Sequence, residues 1–298
     1  MLTNQNTLPF AAWNQGLSQV DLEYAPEYGA LFCNMTPEGL PCFSPKLLQE
    51  IKTFQQQLGT FLKRHEDMQA GTPLNYVVHT SGIDGIFNLG GDLGRFVELI
   101  RAQDRDSLMA YATACIDVLY ANHINFGGDV TSIILLEGTA AGGGLEAALS
   151  NDIIIAERGV EMGFPEAIFN LFPGMGAYSF LARRVSPALA ERLIKSTRMY
   201  KAEEMYEMGL VDELAEPGEG RAVLQRFLKR HSKYANMHRA MKKVKDRVNP
   251  VTYEELMDVT TVWVEAALQL PQANIRTMER LVKAQTHRMD KQRDIAAQ

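Results

Sequence analysis

Polar and apolar positions alternate in "QVDLEY" and "ALFCNM", two stretches set off by Pro26 and Pro37. That period of two predicts short strands at a sheet edge, after a loose N-terminus. In "SPKLLQEIKTFQQQLGTFLKRHEDMQAG" the apolar residues instead recur every three or four positions. Ser44 stands where an N-cap belongs and Pro45 at the first helical position, so a long helix is predicted. "LNYVVHTS", "TSIILLEG" and "DIIIAE" are apolar runs of strand length, and the stretch from Leu93 to His123 between the first two has helical spacing. Strands that alternate with helices predict parallel crossovers and an α/β core. Beyond about Pro217 the pattern is helical to the end. There is no internal repeat and no low-complexity segment.

With 298 residues, 46% hydrophobic and 22% charged, the chain is long enough for one large core with an appended helical part. The expected division is 1–215 for the α/β core and 216–298 for the helical region. No charge precedes Asp21, which predicts neither a secretory nor a transit leader and therefore a cytoplasmic chain. No apolar run reaches the roughly 18 residues that a membrane span needs, so no membrane partner is expected. Cys33, Cys42 and Cys115 are odd in number and widely spaced, which supports neither a disulfide framework nor a thiolate metal site. Small buried hydrophobes are the expectation.

Charge is unevenly distributed. Residues 221–250 hold ten Lys or Arg against Asp246 alone, a local charge of +9 within a chain of net −6, which leaves −15 on the rest. Such an arm suits phosphates or an acidic carrier protein. Equally, Val223, Leu224, Phe227 and Leu228 recur at helical spacing among the charges, as in a solvated pair of amphipathic helices. No nucleic-acid-binding motif accompanies the charge, so nucleic acid is not an expected partner.

Candidate chemistry lies in two glycine-rich turns, "HTSGIDGIFNLGGDL" and "LLEGTAAGGGLEAALSND". Glycine is costly to order and adds no side chain to a core, so Gly142, Gly143 and Gly144 in succession require a reason. One is a tight strand-to-helix turn. The other is bare N–H groups aimed at an anion or a polarised oxygen. Gly90 and Gly91 offer the same possibility, and two converging donors make an oxyanion hole. Glu146 follows Gly143 by about one helical turn. A second acid, Glu166, lies beside Pro165 in the apolar setting "GFPEAIF". The six histidines show no zinc spacing, Ser81 lacks a GxSxG elbow, and "GTAAGGG" is neither a P-loop nor a dinucleotide fingerprint. No metal and no cofactor is expected.

"FNLGGDL", "AAGGGLEAALSNDIIIAE", "GFPEAIFNLFPGMGAYSFLARR" and "YKAEEMYEMGLVDELAE" resemble, in order and spacing, the crotonase (enoyl-CoA hydratase/isomerase) superfamily. The likeness covers roughly residues 75–215. "LFPGMGAYSFLARR", "WVEAALQL" and "IRTMERLVKAQ" extend it over most of the chain toward the diffusible signal factor synthases. The resemblance implies a ββα spiral core with a C-terminal helical region over the acyl pocket. It also implies an oxyanion hole from the N–H groups of Gly91 and Gly143, acid and base in Glu146 and Glu166, and assembly as a homotrimer or hexamer. Gly90, Met175, Trp263 and Leu281 fall at substrate-binding positions, with Leu268 and Met278 nearby. The implied reaction is dehydration of a 3-hydroxyacyl thioester on acyl carrier protein to the cis-2-enoyl form, followed by thioester hydrolysis to the free acid, a quorum-sensing signal. The alternatives are a conventional enoyl-CoA hydratase, or a non-catalytic protein that holds acyl chains or docks on a regulatory sensor protein.

Overall fold

Burial on both faces explains the apolar runs. Val77, Ile134 and Ile154 face one core cluster, while Tyr76, Val78, Ile133, Leu135 and Ile155 face another, as expected of parallel strands covered on both sides. The computed structural model describes residues 9–68 and 73–296; most of the opening segment read as a loose terminus lies outside them.

Ten strands run in chain order among the described residues: β1 (Val20–Ala25), β2 (Ala30–Met35), β3 (Tyr76–Ser81), β4 (Ile86–Asn88), β5 (Thr131–Leu136), β6 (Thr139–Ala141), β7 (Ile153–Glu157), β8 (Glu161–Gly163), β9 (Met199–Lys201) and β10 (Glu213–Ala215). One sheet has the order β1-β2-β3-β5-β7-β10 and the other β4-β6-β8-β9. β1 pairs antiparallel with β2 at the predicted sheet edge, and β2-β3-β5-β7-β10 are parallel. Three times the chain passes from a long strand of the first sheet to a three-residue strand of the second, β3 to β4, β5 to β6 and β7 to β8. Helices follow the first two pairs, which gives a spiral of ββα turns.

The helix at Pro45–Asp67 begins as predicted, with the Ser44 side chain accepting the Leu47 N–H at 3.2 Å. The stretch read as one helix over 93–123 is two, Leu93–Ala102 and Arg105–His123. Gln103 takes a left-handed conformation (φ 54°) and the Asp104 carboxylate accepts the Ser107 N–H, so a C-terminal turn and a new N-cap abut without glycine or proline. After β10 the elements are helical: Gly220–His231, Ala235–Val248, Tyr253–Leu268 and Gln272–Ala296. The first buries Val223, Leu224, Phe227 and Leu228 against the sheet, whereas Ala235–Val248 has no buried residue. No helix of the described residues is long and apolar enough to cross a membrane.

Candidate active site

The glycine turns follow the short strands of the second sheet, not the long strands that the apolar runs mark. β5 ends at Leu136, Glu137 and Gly138 turn the chain, β6 occupies Thr139–Ala141, and Gly142 then opens the helix Gly143–Leu149. Gly90 and Gly91 follow β4, which pairs with β6. Side by side, the two turns meet closely: a Cβ on Gly90 would lie 3.0 Å from the Gly143 nitrogen, and a Cβ on Gly143 would lie 3.3 Å from the Gly91 nitrogen. Gly90 has φ +100°, so this position needs glycine for conformation as well as for space. Among the described residues, the Gly91 and Gly143 amides donate to no protein acceptor.

Both amide positions line a cavity of about 280 Å³, together with Glu146, Glu166, Met175, Trp263 and Leu281. Seven of the eight sequence-predicted site residues therefore meet there. Gly90 lies behind the wall, and neither Leu268 nor Met278 lines the space. Phe43, Phe96, Val118 and Leu119 extend an apolar wall from elements that the motifs do not mark. Trp263, buried on the helix Tyr253–Leu268, packs edge-on to Phe96 with centroids 5.1 Å apart. A Cβ on Gly174 would fall 2.1 Å from the Trp263 ring, and Thr260 donates to the Gly174 carbonyl at 3.1 Å, so this helix anchors the "PGMG" loop. No Lys, Arg or His lines the cavity among the described residues; its ionisable lining includes Glu146, Glu161 and Glu166. None of the basic residues of 221–250 reaches it, and Arg239, Lys242, Lys243 and Lys245 border a separate cavity of about 820 Å³.

The two glutamates sit in different surroundings. Glu146 is 2% exposed, and its Oε1 accepts N–H bonds from Met175 (2.8 Å) and Ala177 (3.3 Å). Burial pushes its carboxyl up to about 7, and those two N–H groups pull the other way by favouring the anion. The stabilising donors come from the "GMGA" loop and not from the start of the helix that carries Glu146. Met175 thus contributes its backbone as well as a wall, which only the glycines flanking it hint at.

Glu166 begins the single turn Glu166–Phe169 after Pro165. Although the residue as a whole is only half-buried, its carboxyl points inward: Oε2 is buried with no hydrogen-bond partner among the described residues, and Oε1 lies 2.3 Å from where a Gly142 Cβ would be. Gly142, with φ +52°, leaves that room. Burial, then the nearby charge of Glu146, pushes the Glu166 carboxyl up to about 8. At neutral pH the pair therefore favours one anion and one acid, a division suited to proton transfer in both directions. Cys115, also in the wall, is an inert thiol that burial pushes far upward, and His79 is buried on β3 away from the cavity.

Two amides and two carboxyls in an apolar cavity, carried on a spiral of ββα turns, define a protein of the crotonase class. The chain belongs to the enoyl-CoA hydratase/isomerase family, whose model matches residues 52–274. Mitochondrial methylglutaconyl-CoA hydratase of Rattus norvegicus is 30% identical over 167 residues, which are 56% of this chain and 51% of that one. The alpha subunit of the fatty acid oxidation complex of Pseudomonas aeruginosa is 28% identical over 163 residues, 55% of this chain and 22% of the subunit. The match therefore spans no more than about half the length of these curated relatives. Among solved structures, enoyl-CoA hydratase from Bacillus halodurans superposes with a TM-score of 0.74 at 19% identity, covering 88% of this chain and 98% of its own. DspI of Pseudomonas aeruginosa superposes with a TM-score of 0.66 at 22% identity, covering 90% and 88%.

Proposed function

We propose that the chain is a synthase of a cis-2-unsaturated fatty acid signal, acting on a 3-hydroxyacyl thioester of acyl carrier protein. The observation that carries this reading is the pair of glutamate carboxyls brought to one apolar cavity beside two glycine amides that donate to no protein acceptor among the described residues. Glu146, whose anionic form the two N–H bonds favour against burial, removes a proton from C2. Enolate charge then grows on the thioester oxygen, where the Gly91 and Gly143 amides receive it; each such donor contributes about 3 kcal/mol. Glu166, protonated, gives its proton to the C3 hydroxyl, which departs as water. The two carboxyls have exchanged protonation states, and exchange with solvent resets them. For hydrolysis, a carboxylate takes a proton from water, the resulting oxygen attacks the carbonyl carbon, the oxyanion reoccupies the two amides, and the carrier thiol leaves with a proton. No cofactor enters either step.

The synthase reading over simple hydration rests on the sequence likeness in "LFPGMGAYSFLARR" and the helical tail. The apolar wall from Phe43 to Trp263 suits an acyl chain. A conventional enoyl-CoA hydratase is the second reading, favoured by relatives named as CoA-thioester hydratases. The deciding experiment incubates the protein with a 3-hydroxyacyl thioester on acyl carrier protein and, separately, on CoA, with products separated against cis and trans standards. Free cis-2-enoic acid from the carrier-protein substrate is the expected result. Only trans-enoyl-CoA would place the chain among hydratases, and no turnover on either carrier would favour a binding protein.

A further inference from the structure

The turn that presents Gly91 satisfies its other amides one by one. Leu89 N–H donates to the Pro41 carbonyl at 2.8 Å, Gly90 N–H to Asn88 Oδ1 at 2.7 Å, and Asp92 N–H to the Tyr111 hydroxyl at 3.0 Å. The Gly91 amide, between them, is the one left over. Both side chains involved are buried: Asn88 is 0% exposed and Tyr111 7%. Tyr111 also donates to the Phe43 carbonyl, and the Phe43 N–H donates to the Gly90 carbonyl at 2.8 Å, so one phenol closes a loop of bonds around the turn. Its ring meets Phe96 edge-on at 5.0 Å, and Phe96 lies against Gly91, where a Cβ would come within 2.7 Å of the ring. Phe96 is part of the cavity wall, whereas neither Asn88 nor Tyr111 lines the cavity.

We propose that Asn88 and Tyr111 are positioning residues that aim the Gly91 amide at the thioester oxygen. This rests on the oxyanion role given to Gly91 above. A donor that gains strength only as charge develops acts on the chemical step and not on substrate capture. Loosening its anchors therefore lowers kcat and leaves KM nearly unchanged. Asn88 has a second mark of a built role, since its Nδ2 is buried without a partner among the described residues. An interior position that needed only bulk would avoid that penalty.

The test uses Tyr111→Phe, which keeps the ring against Phe96 and removes both bonds, and Asn88→Ser, which keeps an acceptor on a shorter arm. Turnover is measured alongside the carbonyl stretch of a bound saturated acyl thioester, which reports polarisation without requiring reaction. The expected result is a kcat reduced tenfold or more in Tyr111→Phe with KM within threefold of the wild type, and a carbonyl band moved toward its value in free solution. Asn88→Ser is expected between Tyr111→Phe and the wild type, and carries the test if Tyr111→Phe does not fold. A kcat within twofold of the wild type, a loss confined to KM, or an unshifted carbonyl band overturns the proposal. If the wild-type protein turns over no thioester, the functional reading fails instead, and the carbonyl band still decides whether the anchors polarise a bound thioester.

Discussion

Replacing Glu166 by glutamine should stabilise the protein at alkaline pH while removing its activity. The Glu166 carboxyl is pushed from its ordinary 4.5 up to about 8, first by burial and then by Glu146. Below pH 4.5 the group is protonated in both the folded and unfolded chain and ionisation costs nothing. Between 4.5 and about 8 the unfolded chain ionises while the folded chain keeps its proton, so folded stability falls with rising pH. Above about 8 the whole cost is present. At ~1.4 kcal/mol per pKa unit, its ceiling is about 5 kcal/mol. Part of this belongs jointly to Glu146, which titrates in the same range. Even a third of the ceiling, about 1.5 kcal/mol, would move the melting temperature by roughly 3 °C in a chain of this size. Chemical denaturation of wild type and Glu166→Gln from pH 4 to pH 9 measures the difference directly. The two should coincide near pH 4 and diverge steadily to a plateau above pH 8, with the variant more stable. Parallel curves, or a variant that loses ground as pH rises, would falsify the placement of an unpartnered carboxyl in this cavity.

The same cavity carries further consequences. The rate of dehydration at limiting substrate should be bell-shaped in pH: it falls below about 7 as Glu146 takes up a proton and above about 8 as Glu166 loses its own, and a flat profile from pH 5 to 9 would refute the assignment. Gly142→Ala places a Cβ 2.3 Å from Glu166 Oε1 at a φ of +52°, and should cost about 1–3 kcal/mol in denaturation midpoint and most of the activity. Gly174→Ala drives a Cβ to within 2.1 Å of the Trp263 ring and should shift the tryptophan emission as well as the stability. Trp263→Ala, which empties a buried aromatic site, should cost about 3–5 kcal/mol and broaden the range of acyl chains accepted, as read from competing substrates of different length.

Much of this site is legible in the sequence because glycine and buried acid are costly residues that need a reason. Gly91, Gly143, Glu146 and Glu166 are conspicuous for that cause, and the fold brings all four to one cavity. The second sheet is not legible: β4, β6, β8 and β9 are three residues each, too short for alternation to register. That is why the glycine turns look as if they follow the long strands. The break at Gln103 and Asp104 is hidden because helical spacing continues across it. The amides of Met175 and Ala177 that hold Glu146 are invisible for a different reason: any residue carries an N–H, and only the fold decides where it points. The basic arm shows the converse, since its charge is plain in the sequence while its position away from the glutamate cavity is not.

The most direct test of the account is the rate of C2–C3 chemistry on a 3-hydroxyacyl carrier-protein thioester in wild type, Glu146→Gln and Glu166→Gln, with folding checked by circular dichroism. Each substitution should lower the rate by at least about 100-fold, the usual scale for a lost general acid or base. A folded variant of either kind that keeps the wild-type rate would contradict the assignment of acid and base to this pair.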